Sequence, residues 1–213
     1  MTKPDALRVA VLLSGEGTSL ENLFEQIESG ALGARIVAVI SSKEHAGGLE
    51  RARRHGVPAL AVPRKQYPDP GDFNDAIHTE LDRHEVDLVA CLGFLSPFET
   101  RGKFDGRAIN VHPALIPAFC GKGFYGQRVH EAVLAAGEPI TGATVHFIDD
   151  EYDSGPIILQ EEITVRPDDT PASLAERVQA IERRLVPKAI QLFANHQLTL
   201  KDQKVQIHPS PSS

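Results

Sequence analysis

Ile109-Asn110-Val111-His112-Pro113 predicts a short β-strand that ends in a turn, because apolar and β-branched residues lead directly into a proline. A second strand is predicted at residues 144–148 (Thr-Val-His-Phe-Ile), and the turn that follows it, residues 149–155, contains Asp153. Open α/β sheets bind their ligands at the carboxyl ends of their strands. We therefore expect Asn110, His112 and Asp153 to converge at one site.

These three side chains are of types that catalytic sites use to donate hydrogen bonds and to move protons. The Asn110 amide can donate to an oxyanion, the His112 imidazole titrates near neutral pH, and the Asp153 carboxylate can orient that imidazole. No serine or cysteine nucleophile stands out beside them. The glycine-rich loop 113–126 lies between the two strands, and a long loop inside a compact domain is usually functional, so it is a candidate to cover the site.

Strand and helix patterns alternate from Leu7 to Ile109, which predicts an α/β fold with a parallel sheet. Two later strand patterns, within residues 141–165, are joined without a helix and are expected to be antiparallel. The sequence thus predicts a single Rossmann-like domain over residues 1–200, with a mostly parallel central sheet and antiparallel strands toward its C-terminal half. Residues 201–213 are predicted to form a flexible C-terminal tail.

A glycine-containing loop, residues 14–19 (Ser-Gly-Glu-Gly-Thr-Ser), follows the first predicted strand. Thr18 and Glu21 have the spacing of a capping box, so the next helix is expected to begin at Thr18. Its first amides would then face the loop and form an anion site. The pattern matches neither the dinucleotide-binding fingerprint nor the P-loop. On these residues alone, a phosphate cradle and a plain tight turn are equally open.

Composition limits the location and the partners of the protein. The chain has 213 residues and a formal net charge of -7, which argues against a nucleic-acid partner because phosphate contacts need clustered Lys and Arg. Its 2 cysteines are too few for a disulfide framework. Since the sequence has no signal-peptide pattern and no apolar run of about 20 residues, we expect a cytoplasmic protein with no membrane partner.

Two ordered motifs carry a resemblance to a known family. They are Asn110-x-His112-Pro-Ala-Leu-Ile-Pro and Val145-His-Phe-x-x-x-x-x-Asp153-x-Gly-Pro-Ile-Ile. Over residues 7–195 the chain resembles the folate-dependent formyltransferases, and most of all those of purine synthesis that act on glycinamide ribonucleotide. The resemblance implies the formyltransferase fold. It also implies transfer of a formyl group from the cosubstrate 10-formyltetrahydrofolate to the amine of 5′-phosphoribosylglycinamide, by direct attack of the amine and without a metal.

The resemblance also implies roles for individual residues, with Asn110, His112 and Asp153 as the catalytic trio. The implied ribonucleotide-binding residues are Gly17, Thr18, Ser19, Gln179 and Glu182. The implied folate-binding residues are Phe94, Leu95, Phe98, Asn110, Asp149, Asp150 and Asp153. Thr144 and His146 lie on one face of their strand and are expected to support the site. The chain departs from the family pattern at Glu16, Ser19 and Pro70, and in a shortened turn after Gly93 that lacks an arginine.

Several alternatives remain open at this point. His112, His146, Asp149 and Asp153 could instead form the metal site of a hydrolase, although none of the usual ligand spacings is present. The chain could also be a non-catalytic protein that binds folate or a nucleotide. Within the family, another formyltransferase or a formyltetrahydrofolate deformylase is the alternative, and either a monomer or a homodimer is expected. The retained trio favours an enzyme over the non-catalytic protein.

Overall fold

The structure is a computed structural model that describes residues 6–149 and 151–209. It contains two compact units, Met1–Ala108 and Ile109–Ser213. In the first unit, buried apolar strands alternate with amphipathic helices. Its elements are β1 (Leu7–Leu13), α1 (Thr18–Glu28), β2 (Ala34–Ser41), α2 (Gly47–Arg54), β3 (Ala59–Ala61), a 3₁₀ turn (Arg64–Gln66), α3 (Pro70–Arg83) and β4 (Leu88–Cys91).

The four strands of the first unit are parallel and follow the order β3-β2-β1-β4. The central strand β1 is fully buried from Val9 to Leu13, as is typical of a parallel strand whose two faces are both covered. Helix α1 turns Leu20, Leu23 and Phe24 inward at helical spacing. Each such side chain contributes about 1.5–3 kcal/mol by leaving water, so this apolar interior holds the loop at the end of β1 in place.

The second unit combines an antiparallel set of strands with two helices. Strand β6 pairs antiparallel with both β5 and β7, and β8 and β9 form a separate antiparallel hairpin. Helix α5 begins at a capping box made by Thr170 and Ser173. The elements are β5 (Ala108–His112), α4 (Gln127–Ala136), β6 (Ile140–Phe147), β7 (Ile157–Thr164), α5 (Pro171–Ala194), β8 (Leu198–Lys201) and β9 (Lys204–Ile207).

The predicted fold class is confirmed. Strands β1 to β7 belong to one sheet, which is parallel from β3 to β4 in the first unit and antiparallel from β5 to β7 in the second. Strands β6 and β7 are the two strands that the sequence predicted to be joined without a helix, and they pair antiparallel as expected. The domain boundary at residue 200 remains a prediction.

The predicted capping box at the start of α1 is wrong. The residue that caps the helix is Gly17, in a left-handed conformation with φ 72°, and it makes no side-chain cap hydrogen bond. Thr18 is already the first helical residue. Glu21 instead accepts a hydrogen bond from Arg51 Nη1 at 3.0 Å and lies 3.2 Å from His55 Nε2. A long-range ion pair thus replaces the expected local contact.

The C-terminal segment differs from the predicted tail. Strands β8 and β9 pair from Leu198↔Ile207 to Lys201↔Lys204, so the segment from residue 201 to Ile207 forms half of a hairpin. Gln197 Nε2 also donates to the carbonyl of His208 at 2.7 Å, which ties the end of the hairpin to the end of α5. Residues 210–213, the last part of the predicted tail, lie outside the described residues.

The turn that carries Asp153 depends on a glycine. A Cβ at Gly155 would lie 1.9 Å from the carbonyl oxygen of Phe147, whereas one at Gly15 would have nothing within 4 Å. Because the backbone must move to admit the methyl group, Gly155→Ala is expected to lower the free energy of unfolding by about 2–4 kcal/mol. Urea denaturation measures the loss, with Gly15→Ala as the matched control. Equal losses in both variants would contradict this close approach.

Candidate active site

Strands β5 and β6 place four polar side chains side by side in the second unit. In the antiparallel pairing, Asn110 lies opposite His146, and His112 lies opposite Thr144. Side chains two residues apart on a strand point to the same face, so all four share one face of the pair. Their burial is nearly complete for His112, Thr144 and His146, which are 3%, 0% and 2% exposed.

Asp153 reaches the same face from the turn between β6 and β7. Its backbone is left-handed, with φ 55°, and its side chain is only 13% exposed. Asn110 Nδ2 donates to Asp153 Oδ1 at 3.2 Å, and His112 Nδ1 lies 3.5 Å from Asp153 Oδ2. The structure therefore brings together the three side chains that the sequence singled out.

The hydrogen bonds of His146 determine to which groups the Asn110 amide donates. His146 Nδ1 lies 2.8 Å from the carbonyl oxygen of Phe147, which can only accept, so this nitrogen carries the proton. A ring that carries its proton on Nδ1 accepts through Nε2, so Asn110 Nδ2 donates to this nitrogen at 3.1 Å. Both N–H groups of Asn110 are thus engaged, one with Asp153 and one with His146, through two fairly long bonds.

The loop 113–126 supplies two backbone groups to the trio. The carbonyl oxygen of Phe119 accepts from His112 Nε2 at 2.8 Å, and the amide of Gly121 donates to Asp153 Oδ2 at 2.9 Å. Both residues have positive φ, 51° and 88°. The sequence predicted that this loop is functional but could not show these two contacts, because backbone groups leave no residue-type signal.

Burial and neighbouring groups set the charges at this site. Burial lowers the pKa of His112 below its ordinary value, and the opposing effects of Asp153 and the Phe119 carbonyl are smaller in sum. Burial alone would raise the pKa of Asp153, but His146, His112 and the Gly121 amide together hold it below its ordinary value. At neutral pH the site therefore contains an ionised Asp153 beside a neutral His112. Burial thus outweighs the attraction by which the Asp153 carboxylate favours a charged His112.

Two further acidic residues were predicted in the turn after β6. Asp149 Oδ1 accepts from Ser154 Oγ at 2.7 Å and from the amide of Glu151 at 3.2 Å, so its observed contacts stabilise the turn itself. Asp150 lies outside the described residues. A folate contact for either residue remains a prediction.

The glycine loop of the first unit leaves the start of α1 without a side-chain cap. A Cβ at Gly17 would lie 2.6 Å from Gly48 Cα, so only glycine permits this approach between the loop and the start of α2. Arg51 Nε donates to the carbonyl of Glu16 at 2.7 Å and fixes the loop from outside. The amides at Gly17, Thr18 and Ser19 are therefore held on a rigid loop where a helix dipole favours an anion.

The three apolar residues predicted to contact folate differ in exposure. Leu95 is 50% exposed, and its amide donates to Ser14 Oγ at 2.9 Å. The Phe94 ring stacks on Phe73 with centroids 6.2 Å apart. Phe98 is 7% exposed and stacks on His78, so its ring belongs to the interior of the first unit. Leu95 is the most accessible of the three.

Glu182 is a partly buried carboxyl on α5, and Gln179 lies exposed one turn earlier. Burial raises the pKa of Glu182 from 4.5 to about 7, and the nearby Arg183 opposes this shift only in part. The sequence showed that an acidic residue lies beside the apolar stripe of α5. It did not show that the carboxyl group of this residue is desolvated in the folded protein. A group of this kind is poised to change charge near neutral pH.

His130 is a buried histidine for which no sequence pattern indicated a role. It lies on the inner face of α4, is 4% exposed, and its Nδ1 has no hydrogen-bond partner among the residues that the structure describes.

Within residues 6–149 and 151–209, no three His, Cys, Asp or Glu side chains are grouped so as to hold a metal ion. None of the helices in this part of the chain has the length and apolar character needed to span a bilayer.

Comparisons with known proteins place this geometry in context. The formyl transferase family model matches residues 7–190. The chain is 39% identical over 91% of its length to a trifunctional purine biosynthetic protein adenosine-3 of Bos taurus, of which it spans only 19%. It is 35% identical over 96% of its length to the chloroplastic phosphoribosylglycinamide formyltransferase of Arabidopsis thaliana, covering 71% of that protein. A glycinamide ribonucleotide transformylase 1 structure from Symbiobacterium toebii matches with a TM-score of 0.91 at 36% identity, covering 97% of this chain and 96% of that one.

The buried carboxyl of Glu182 predicts a pH-dependent stability. Its pKa is raised from 4.5 to about 7 in the folded protein. The free energy of unfolding therefore falls as the pH rises from about 4.5 to about 7, and the full loss is present above this interval. Glu182→Gln removes the ionisable group and should stabilise the protein by about 1–3 kcal/mol at pH 8. The gain should shrink toward zero near pH 5. Thermal unfolding at both pH values measures it.

The matched control is Glu176→Gln, an exposed glutamate on the same helix. It should leave the melting temperature nearly unchanged at both pH values, because its carboxyl stays in water. If Glu182→Gln and Glu176→Gln have the same effect at pH 8, the carboxyl of Glu182 is not desolvated.

Proposed function

Because the chain belongs to the formyl transferase family, we propose that it transfers the formyl group of 10-formyltetrahydrofolate to the amine of 5′-phosphoribosylglycinamide. The observation that carries the proposal is the convergence of Asn110, His112 and Asp153 on one face of the β5–β6 pair. This set offers two hydrogen-bond donors and one proton acceptor. Transfer between an amine and a formyl carbon requires these groups and no covalent enzyme intermediate.

The reaction begins when the substrate amine attacks the formyl carbon. A C–N bond forms, the carbonyl oxygen becomes an oxyanion, and the attacking nitrogen becomes cationic. Asn110 Nδ2 and His112 Nε2 donate to the oxyanion, which takes the place of their present acceptors at 3.1–3.2 Å and 2.8 Å. A neutral imidazole suffices for this role because its Nε2 carries the proton.

Asp153 moves the proton between the two nitrogens. It is ionised at neutral pH, since its pKa lies below the ordinary value, and it accepts a proton from the cationic nitrogen directly or through water. The same proton then passes to the folate nitrogen as the bond from that nitrogen to the formyl carbon breaks and the carbonyl re-forms. Atoms and charge balance, and the carboxylate is regenerated.

The remaining residues bind the two substrates. The amides of Gly17, Thr18 and Ser19 receive the ribonucleotide phosphate, because they open a helix without a side-chain cap. Glu182 accepts hydrogen bonds from the ribose hydroxyls, with Gln179 nearby. The residues that we assign to folate binding are Phe94, Leu95, Phe98, Asn110, Asp149, Asp150 and Asp153.

Replacing the proton acceptor tests the chemistry. Asp153→Asn keeps the size of the side chain but cannot take the proton, so kcat should fall by much more than tenfold while both substrates still bind. Formyl transfer is followed with purified protein and the two substrates, and binding by calorimetry. A variant that keeps over a tenth of the wild-type kcat, a loss of under about 1.4 kcal/mol, would show that Asp153 only stabilises the turn.

Removing the proposed ribose contact tests the nucleotide site. Glu182→Ala should raise the KM for the ribonucleotide by about tenfold or more, because hydrogen bonds to a carboxylate contribute about 1.5–3 kcal/mol. The KM for the folate should change much less. Glu176→Ala, on an exposed position of the same helix, is the control. A larger effect on the folate KM than on the ribonucleotide KM would contradict the assignment.

A further inference from the structure

Gln160 connects β7, the last strand of the sheet, to the loop beside the catalytic trio. The residue is exposed, as a polar side chain on such a strand usually is. Its Nε2 nevertheless donates to Thr144 Oγ1 at 2.8 Å and to the carbonyl oxygen of Ile116 at 3.1 Å. These two acceptors belong to β6 and to the loop 113–126, so one side-chain amide links three segments.

The hydroxyl of Thr144 shows why this amide matters. It is completely buried, donates to the carbonyl of Ala114 at 2.7 Å, and accepts from the amide of Ile116 at 3.2 Å. A hydroxyl has one proton and two acceptor positions. The bond from Gln160 therefore completes the hydrogen bonding of Thr144, and the three bonds together fix residues 114–116.

The fixed segment leads directly to the groups that hold the trio. Three residues after Ile116, the Phe119 carbonyl accepts from His112 Nε2, and two residues later the Gly121 amide donates to Asp153 Oδ2. Beyond them, residues 122–128 are exposed. The start of the loop is thus the part where hydrogen bonds from β6 and β7 restrain it.

We propose that Gln160 is a positioning residue for the reaction. It acts through Thr144 and Ile116 to hold the loop 113–126, and the loop in turn orients His112 and Asp153. It does not touch the reacting atoms. This inference rests on the proposed function for its catalytic part, whereas the restraint of the loop is a property of the protein alone.

Two variants separate the role of the amide from that of the strand. Gln160→Leu keeps a similar volume but removes both donors. Glu162→Leu is the matched control, because Glu162 is exposed and lies two residues further along β7 on the same face. Both variants place a leucine on the same exposed surface, so an effect of added apolar area would appear in both.

Trypsin digestion under native conditions reads out the loop directly. Lys122 is the single Lys or Arg in the loop 113–126 and is exposed, so cleavage after it reports how freely the loop opens. Mass spectrometry identifies the fragments. Gln160→Leu should increase the rate of cleavage at Lys122 several-fold over the wild type, and Glu162→Leu should not.

Turnover is measured in the same set of variants. Gln160→Leu should lower kcat for formyl transfer by about tenfold, the effect of one to two lost hydrogen bonds, with a smaller change in either KM. Faster cleavage at Lys122 with an unchanged kcat would overturn the positioning role. Unchanged cleavage would overturn the restraint itself. A wild-type protein without formyl transfer would overturn the proposed function, while the digestion would still decide whether Gln160 restrains the loop.

Gln160→Glu provides a second test that does not depend on the leucine variant folding. The change keeps the size and polarity of the side chain, but an exposed glutamate is ionised at pH 8 and has no donor. Cleavage at Lys122 at pH 8 should therefore be several-fold faster than in the wild type. Cleavage at the wild-type rate would show that the amide hydrogens are not what holds the loop.

Discussion

A buried negative charge constrains the second unit more than any other feature. The Asp153 side chain is 13% exposed, and an ion removed from water costs several kcal/mol unless hydrogen bonds replace its hydration. Its partners come from separate segments. Asn110 on β5 and the Gly121 amide in the loop 113–126 donate to it, while the neutral His112 ring only lies against the second carboxylate oxygen. Satisfying one carboxylate therefore fixes the relative positions of a strand, a loop and a turn.

The same constraint accounts for the backbone of the turn after β6. Asp153 adopts a left-handed conformation, φ 55°, which costs a non-glycine residue about 1–2 kcal/mol. Gly155 lies against the carbonyl of Phe147, where a side chain would not fit. These local costs are sustained because the conformation directs the carboxylate onto the face shared by Asn110 and His112. A turn that only had to connect β6 and β7 would need neither a left-handed aspartate at position 153 nor a glycine at position 155.

The sequence predicted features that depend on local pattern and missed those that depend on distant contacts. Period and length predicted the fold class, the strand that carries Asn110 and His112, and the turn that carries Asp153. The prediction of a capping box at the start of α1 was wrong because Gly17 adopts the left-handed conformation that starts the helix. The Glu21 carboxylate is then available to pair with Arg51. The hairpin of β8 and β9 was missed because its short strands, four residues each, give no clear pattern. The link from Gln160 to Thr144 joins residues on different strands, and no spacing in one sequence indicates it.

The hydrogen bonds that Asn110 and His112 make within the protein bear on how the proposed reaction gains its rate. Asn110 and His112 already donate, to His146, Asp153 and the Phe119 carbonyl. At His112, a neutral formyl oxygen that replaces the Phe119 carbonyl exchanges one bond for a similar one, so ground-state binding gains little. An oxyanion at the same place accepts bonds about twice as strong. The gain therefore appears mainly in the transition state, which is the condition for catalysis rather than for tighter binding. Preformed donors also avoid reorganisation during the reaction, and this is why the restraint of the loop near His112 and Asp153 belongs to the chemistry as well as to the fold.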